Sequence, residues 1–156
     1  MKLSAEDAFR QFGDRVFSAA FSATGSKEDA DDVVQDTFLK YWDTDQDFTD
    51  ENHIKAWLLR VVINRSRDLL RSFWHRKKVP WEDYMEELPF EEPEDKSLFE
   101  AVMELPRKYR VTIHLHYYED LSVSEIAEIL HTTEGTVKSQ LSRGRKLLKT
   151  KLMEAW

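Results

Sequence analysis

The stretch Leu121–Leu148, LSVSEIAEILHTTEGTVKSQLSRGRKLL, reads as two helices around a tight turn. In the first, Ile126, Ala127 and Leu130 recur at helical spacing and form an inward face. Ala127 stands where a helix crossing close above requires a small side chain. In the second, Val137, Leu141, Gly144 and Leu148 follow at intervals of four, three and four, which is again one helical face. The opposite face carries Ser139, Ser142, Arg143 and Lys146, with Thr136 and Lys138 beside it. Between residues 131 and 153 there are six basic side chains and one acidic, net +5. Small hydroxyls let a backbone approach a DNA groove, while Lys and Arg reach phosphates and guanine edges. The pattern is that of a DNA-binding helix-turn-helix, although an ordinary helical hairpin with a solvated basic face would share much of it. His131 occupies the turn position where glycine is usual, a departure from the pattern, since the left-handed conformation is open to histidine but less easy.

This cationic helix belongs to an acidic chain of 156 residues with formal net charge −7. The net value hides an alternation. Residues 1–53 carry net −8, residues 54–78 net +7, residues 79–106 net −9 and residues 107–156 net +3. Two basic blocks between acidic ones suggest separate partners for separate segments. All four prolines (Pro80, Pro89, Pro93 and Pro106) fall between residues 80 and 106. The acidic, proline-broken run at 79–96 therefore reads as a flexible linker between a module at 1–78 and another at 97–156. Four glycines are few for a strand-and-turn protein, and apolar residues recur at three and four nearly throughout. The expected fold is all-α, in two small helical domains.

In the first module helices are expected at Ala5–Thr24, from Ser26 onward, and from Ile54 to about His75. In the second they are expected at Ser97–Leu105 and Arg107–Tyr118, ahead of the two helices of the hairpin. On the helix after Ser26, the positions Ala30, Val33, Val34, Phe38, Tyr41 and Trp42 project as one apolar face. Asp29, Asp32, Gln35 and Asp36 project on its exposed side with Leu39 nearby, a pattern that suits either a protein interface or a solvated surface. On the next helix Arg60, Asn64, Arg67 and Arg71 make a stripe bordered by Trp57 and Val61, and Arg76, Lys77 and Lys78 extend it. Cations beside an aromatic ring and an amide suit a surface that tracks a nucleic-acid backbone and captures an unstacked base. Arg65 projects toward the apolar side.

Other chemistries find little support. Zero cysteines remove disulfides, thiol catalysis and Cys-ligated zinc. Asp43-Thr44-Asp45-Gln46-Asp47 opens like a calcium loop, but Phe48 replaces the sixth-position glycine and Ile54 the twelfth-position glutamate. His114 and His116 diverge on a helix, which argues against a shared metal. No phosphate-cradling glycine loop or hydrolase motif occurs, so neither a catalytic constellation nor a metal, cofactor or small-molecule substrate is expected. No run approaches the ~18 apolar residues of a membrane span, and the start MKLSAEDAF lacks the apolar core of a signal peptide. A cytoplasmic protein without direct membrane insertion is expected.

Together, DADDVVQDTFLKYW (29–42), IKAWLLRVVINRSRDLLR (54–71), LPRKYR (105–110) and the 121–148 hairpin resemble bacterial RNA polymerase sigma factors of the extracytoplasmic-function group. The likeness spans both modules in order. It implies a promoter-melting domain at 1–78, an acidic linker at 79–96 and a second DNA-reading domain at 97–156. By the same resemblance Asp32, Gln35, Asp36 and Phe38 meet the polymerase. Trp57, Arg60, Asn64, Arg67 and Arg71 would engage the minus-ten element, with the loop 43–53 shaping the pocket for a flipped base. Thr136, Lys138, Ser139, Ser142, Arg143 and Lys146 would read the minus-thirty-five element. The implied partners are core RNA polymerase, promoter DNA and an anti-sigma factor. The implied role is promoter-specific transcription initiation in a stress or envelope response, by a protein that is not itself an enzyme. Two other readings stay open: a stand-alone helix-turn-helix regulator of duplex DNA, and a metal-dependent nuclease using the 29–36 carboxylates.

Overall fold

Ser4 and Ser26 set the first two helices. The computed structural model describes residues 1–72 and 96–154, and these fall into two compact units, each treated by itself. In the first unit α1 spans Ala5–Thr24, and the Ser4 hydroxyl accepts from the Asp7 amide at 3.1 Å. Gly25 closes α1 at φ 71°, a left-handed conformation that costs glycine nothing, and its N–H bonds the Phe21 carbonyl at 2.8 Å. Helix α2 spans Lys27–Asp43, with Ser26 accepting from the Asp29 amide at 3.3 Å. Helix α3 spans Glu51–Ser72. It begins three residues before the expected Ile54 because Asp50 accepts from the His53 amide at 2.8 Å, as an N-cap does. The expected continuation to His75 and the basic residues Arg76, Lys77 and Lys78 lie outside the described residues, as does the expected linker at 79–96 except for its last residue, Lys96, which begins the next helix.

These three helices pack against one another around one core. Ala8, Val16, Ala19, Ala20 and Ala23 of α1 are buried against Ala30, Val33 and Tyr41 of α2 and Ile54, Leu58, Leu59 and Val62 of α3. The small residues of α1 let the neighbouring helices approach, and each buried Leu or Ile contributes about 1.5–3 kcal/mol. The connection between α2 and α3 is anchored by Phe48, which is only 1% exposed. Its ring stacks on Tyr41 at 5.7 Å and meets Trp57 edge-on at 5.8 Å and His53 at 5.0 Å. The Tyr41 hydroxyl in turn donates to the Leu3 carbonyl at 2.7 Å.

In the second unit α4 spans Lys96–Met103 and α5 spans Arg107–Ile113, with Pro106 at the N-cap. Arg110 is buried and donates to the Met103 carbonyl at 3.2 Å, tying the two helices together. Burial, with Arg107 adding repulsion, pushes its guanidinium down to about 10, so it stays charged at neutral pH. The helix expected to run unbroken to Tyr118 instead widens into a π-helix at His114–Tyr118. Asp120, at φ 57°, ends it, and the Leu121 amide bonds the Leu115 carbonyl at 3.1 Å. Helix α6 spans Val123–Leu130 behind a capping box, in which Ser122 accepts from the Glu125 amide and the Glu125 carboxylate accepts from the Ser122 amide. His131 closes α6 in the left-handed conformation, at φ 54°. The Thr132 amide reaches back to the Ala127 carbonyl at 3.0 Å, completing a Schellman closure. Helix α7 spans Glu134–Glu154.

Candidate nucleic-acid interface

Helix α7 is held from beneath. Val137 and Leu141 are buried with Ile126, Ala127 and Ile129 of α6, and Leu148 is half-buried. At Gly144 the backbone of α7 crosses α5 so closely that an added Cβ would lie 3.1 Å from the Ile113 Cγ1 and 3.4 Å from the Tyr109 Cβ. Thr112 also reaches across, its hydroxyl meeting the Gln140 side-chain oxygen at 2.9 Å. Thr133 caps the helix, accepting from the Thr136 amide at 3.1 Å. With one side of α7 fixed in this way, Thr136, Lys138, Ser139, Ser142, Arg143 and Lys146 are all exposed on the other. The sequence reading and the structure agree on that face.

The stripe of α3 is less open than its sequence suggests. Trp57, Arg60, Asn64 and Arg67 are each half-buried, and Arg71 is exposed. Trp57 lies edge-on to both Tyr41 and Phe48, so the indole is braced by the aromatic cluster that also anchors the 44–50 loop. That loop is latched to the first residues of the chain, Met1 and Phe48 exchanging backbone bonds at 2.7 and 2.9 Å and Lys2 donating to the Thr44 carbonyl at 2.6 Å, and it is also latched locally. The Thr49 amide donates to the His53 Nδ1 at 3.0 Å, and the Gln46 amide donates to the Thr44 hydroxyl at 3.3 Å. Arg65, expected on the apolar side, is exposed. At that turn Val62, Ile63 and Ser66 are buried and take the inward places.

On α2, Asp32, Gln35 and Asp36 are exposed, and Phe38 is buried with its ring 5.1 Å from Phe9. Gln35 and Phe38 line an apolar recess of about 500 Å³ with Ala5, Phe9, Val34, Leu39 and Trp42. Two expectations are corrected here. Trp42 does not belong to the buried face but is 70% exposed. Tyr41 and Trp42 are adjacent and so lie about 100° apart around the helix, and Tyr41 takes the inward place. Asp29, expected on the exposed side, is buried in the first turn beneath the Ser26 cap. Phe9, 56% exposed, was not anticipated as part of this surface. A phenylalanine on the outer side of α1 opposite Leu39 was the available signal.

His114 and His116 diverge as expected. His114 Nε2 lies 3.5 Å from the Glu119 carboxylate, both groups being buried, whereas His116 Nδ1 donates to the Leu121 carbonyl at 3.0 Å. Among the described residues no group of three metal-binding side chains converges, and no helix is long and apolar enough to cross a membrane.

Residues 8–76 match sigma-70 region 2, and residues 95–148 match sigma-70 region 4. The RNA polymerase sigma factor SigV of Bacillus subtilis is 31% identical over 141 residues, covering 87% of this chain and 83% of SigV. The chain belongs to the extracytoplasmic-function sigma factors. Another such relative, the ECF sigma factor SigW of Bacillus subtilis, is 28% identical over 99% of this chain and 94% of its own. Among solved structures, CnrH in complex with the cytosolic domain of CnrY superposes with a TM-score of 0.67. It is 28% identical, covering 97% of this chain and 88% of CnrH. As an extracytoplasmic-function sigma factor the chain binds core RNA polymerase and promoter DNA and directs transcription initiation.

Proposed function

We propose that this sigma factor divides promoter recognition between its two units. Residues 1–78 would bind polymerase and take the minus-ten element, residues 97–156 would read the minus-thirty-five element, and the acidic 79–96 segment would join them. The observation that carries this reading is the paired basic surfaces, one on α3 and one on α7, each opposite a buried face that fixes its helix.

On α7, Ser139 and Ser142 admit close approach to the major groove, and Lys138, Arg143 and Lys146 supply base-edge and phosphate contacts. On α3 the half-buried Trp57 offers a braced surface for an unstacked base. Asn64 supplies both a donor and an acceptor, and Arg60, Arg67 and Arg71 follow the single strand. The α1–α2 recess at Phe9, Phe38, Leu39 and Trp42, rimmed by Asp32, Gln35 and Asp36, supports the assignment of the polymerase contact. An apolar centre inside a polar rim is the usual anatomy of a protein interface. In this reading the polymerase holds the chemistry and the chain is not itself an enzyme. It works in the cytoplasm under an anti-sigma partner, the form of control that membership of this group implies, in a stress or envelope response.

Run-off transcription from a genomic fragment library, with core polymerase with and without the chain, tests the proposal. Discrete start sites that require both are expected. Trp57→Ala should abolish opening while leaving duplex binding in place, and Arg143→Ala should shift the upstream base preference. Tight duplex binding without any effect on start sites would refute it and favour a stand-alone regulator.

A further inference from the structure

Trp57 owes its place to rings that residues 1–3 hold. It lies edge-on to Tyr41 at 5.9 Å and to Phe48 at 5.8 Å, and those two rings stack on each other. The Tyr41 hydroxyl donates to the Leu3 carbonyl at 2.7 Å. Burial raises this phenol above its ordinary value, so it remains a donor through neutral pH. The Lys2 ammonium stands over the face of the same ring, 5.1 Å from its centre.

The same three residues hold the start of the 44–50 loop. Thr44 ends α2, and its carbonyl accepts from the Lys2 Nζ at 2.6 Å. Met1 and Phe48 exchange two backbone bonds, at 2.7 and 2.9 Å, as a hydrogen-bonded pair does in an antiparallel sheet. The bonds of Thr49 and Asp50 to His53 secure the other end of the loop on α3. Met1 and Lys2 lie ahead of α1 and are exposed, so what they contribute is this set of bonds and not the filling of a core. Neither the promoter-reading faces nor the α1–α2 recess gives them a role.

We propose that residues 1–3 form a strap that preorganises the pocket for a flipped minus-ten base, with Lys2 as its positioning residue. The proposal rests on the reading of Trp57 and the 44–50 loop as the base-capturing elements, and adds what holds them ready. A loop and ring ordered in advance present a fixed surface to the incoming base. A loose loop must be ordered at the moment of capture, which subtracts from the gain of binding. Lys2 serves both parts at once, since it donates to the first residue of the loop and stands over the ring that braces Trp57. The strap therefore acts on opening, the step in which the base leaves the stack, and not on docking to the closed duplex.

The test uses holoenzyme, made from core polymerase and the full chain, on the strongest promoter fragment found by run-off transcription. Lys2→Ala, Lys2→Arg and Trp57→Ala are compared for affinity to the closed duplex over a range of KCl concentrations. Their rates of opening are read by permanganate reactivity of unpaired thymines. Lys2→Ala should slow opening by about 3- to 10-fold, the worth of one lost hydrogen bond, with closed-duplex affinity and its salt slope unchanged. Lys2→Arg should restore most of the rate, since it keeps a donor and a cation for the ring. In the full chain alone, Lys2→Ala should lower hydrogen-exchange protection of the Phe48 amide while α1, α2 and α3 keep theirs. Unchanged opening in Lys2→Ala, beside lost opening in Trp57→Ala, would overturn the proposal and leave the base-capture reading standing. A salt slope flattened by about 0.9 would also overturn it, since Lys2 would then meet a phosphate. So would an equal loss of protection in all three helices, since the part of Lys2 would then be in the fold at large. If Trp57→Ala leaves opening unchanged as well, the base-capture reading itself fails and the proposal fails with it.

Discussion

Replacing Gly144 with alanine puts a methyl group into the tightest point of the second unit. The new carbon would lie 3.1 Å and 3.2 Å from Ile113 Cγ1 and Cδ1 and 3.4 Å from Tyr109 Cβ. Carbon–carbon contacts are optimal at about 3.5–4.0 Å, so both Ile113 contacts are some tenths of an ångström too short. Ile113 is 2% exposed, so the methyl must displace its side chain toward the neighbouring apolar recess or lift α7 from α5. Overpacking of this kind costs about 1–3 kcal/mol, against a gain of about 1 kcal/mol from replacing a mid-helix glycine. A net loss of about 1 kcal/mol is expected. Gly135→Ala is the control. It adds the same methyl to the same helix where nothing lies nearer than 3.9 Å, so only the propensity gain remains, about 0.5 kcal/mol in a first turn. Native-state hydrogen exchange of the α7 amides in the full chain reads each variant in the unit concerned. The two should differ by about 1.5 kcal/mol, roughly tenfold in protection. Equal protection in the two variants would refute the reasoning, because the crossing at Gly144 would then not be close.

Two further outcomes concern the first unit and the turn. Phe48→Ala should cost the first unit about 3–5 kcal/mol, and Phe48→Leu much less. In Phe48→Leu, promoter opening, read by permanganate reactivity of unpaired thymines, should fall while duplex binding persists; unchanged opening would mean the loop plays no part in melting. His131→Gly should stabilise α6 by about 0.5 kcal/mol, because the left-handed conformation strains histidine and not glycine, even after the added freedom of the unfolded chain. Amide exchange in α6 checks this, and a loss of protection would contradict the assigned turn conformation.

How much of this was legible in the sequence depended on whether a signal was local. Ser4 and Ser26 announce their helices because capping is a matter of three residues, and Gly25 marks the end of α1 as plainly. The face Val137, Leu141 and Gly144 was readable because the periodicity of α7 is unbroken. Periodicity misleads where a helix ends or leaves the core. Trp42 sits at the last turn of α2, where Tyr41 has already taken the inward place. Arg65 projects toward the apolar side on an ideal wheel, but its neighbour Ser66, fully buried, has the inward place at that turn. The π-helix at His114–Tyr118 has no residue signature of its own; it absorbs one extra residue so that Leu121 can pair back to Leu115. For the sites, the exposed face of α7 follows from its pattern alone. The recess at Phe9–Trp42 required knowing which helices lie side by side.

The loop between α2 and α3 is secured on its inner side by one aromatic plug, by short-range bonds and by residues 1 and 2, where Met1 and Phe48 exchange two backbone bonds and Lys2 donates to the Thr44 carbonyl. Phe48 supplies the plug, and the short-range links run from Thr44 to Gln46, Thr49 to His53 and Asp50 to His53. Asp45, Gln46 and Thr49 are exposed, and side chains at such positions change at a cost usually within about 0.5 kcal/mol. The loop is therefore built as an exchangeable cassette, whose outer residues can be rewritten without renegotiating the fold beneath them. If the loop shapes the base pocket as proposed, a new target could be reached by drift at those surface positions, or by grafting.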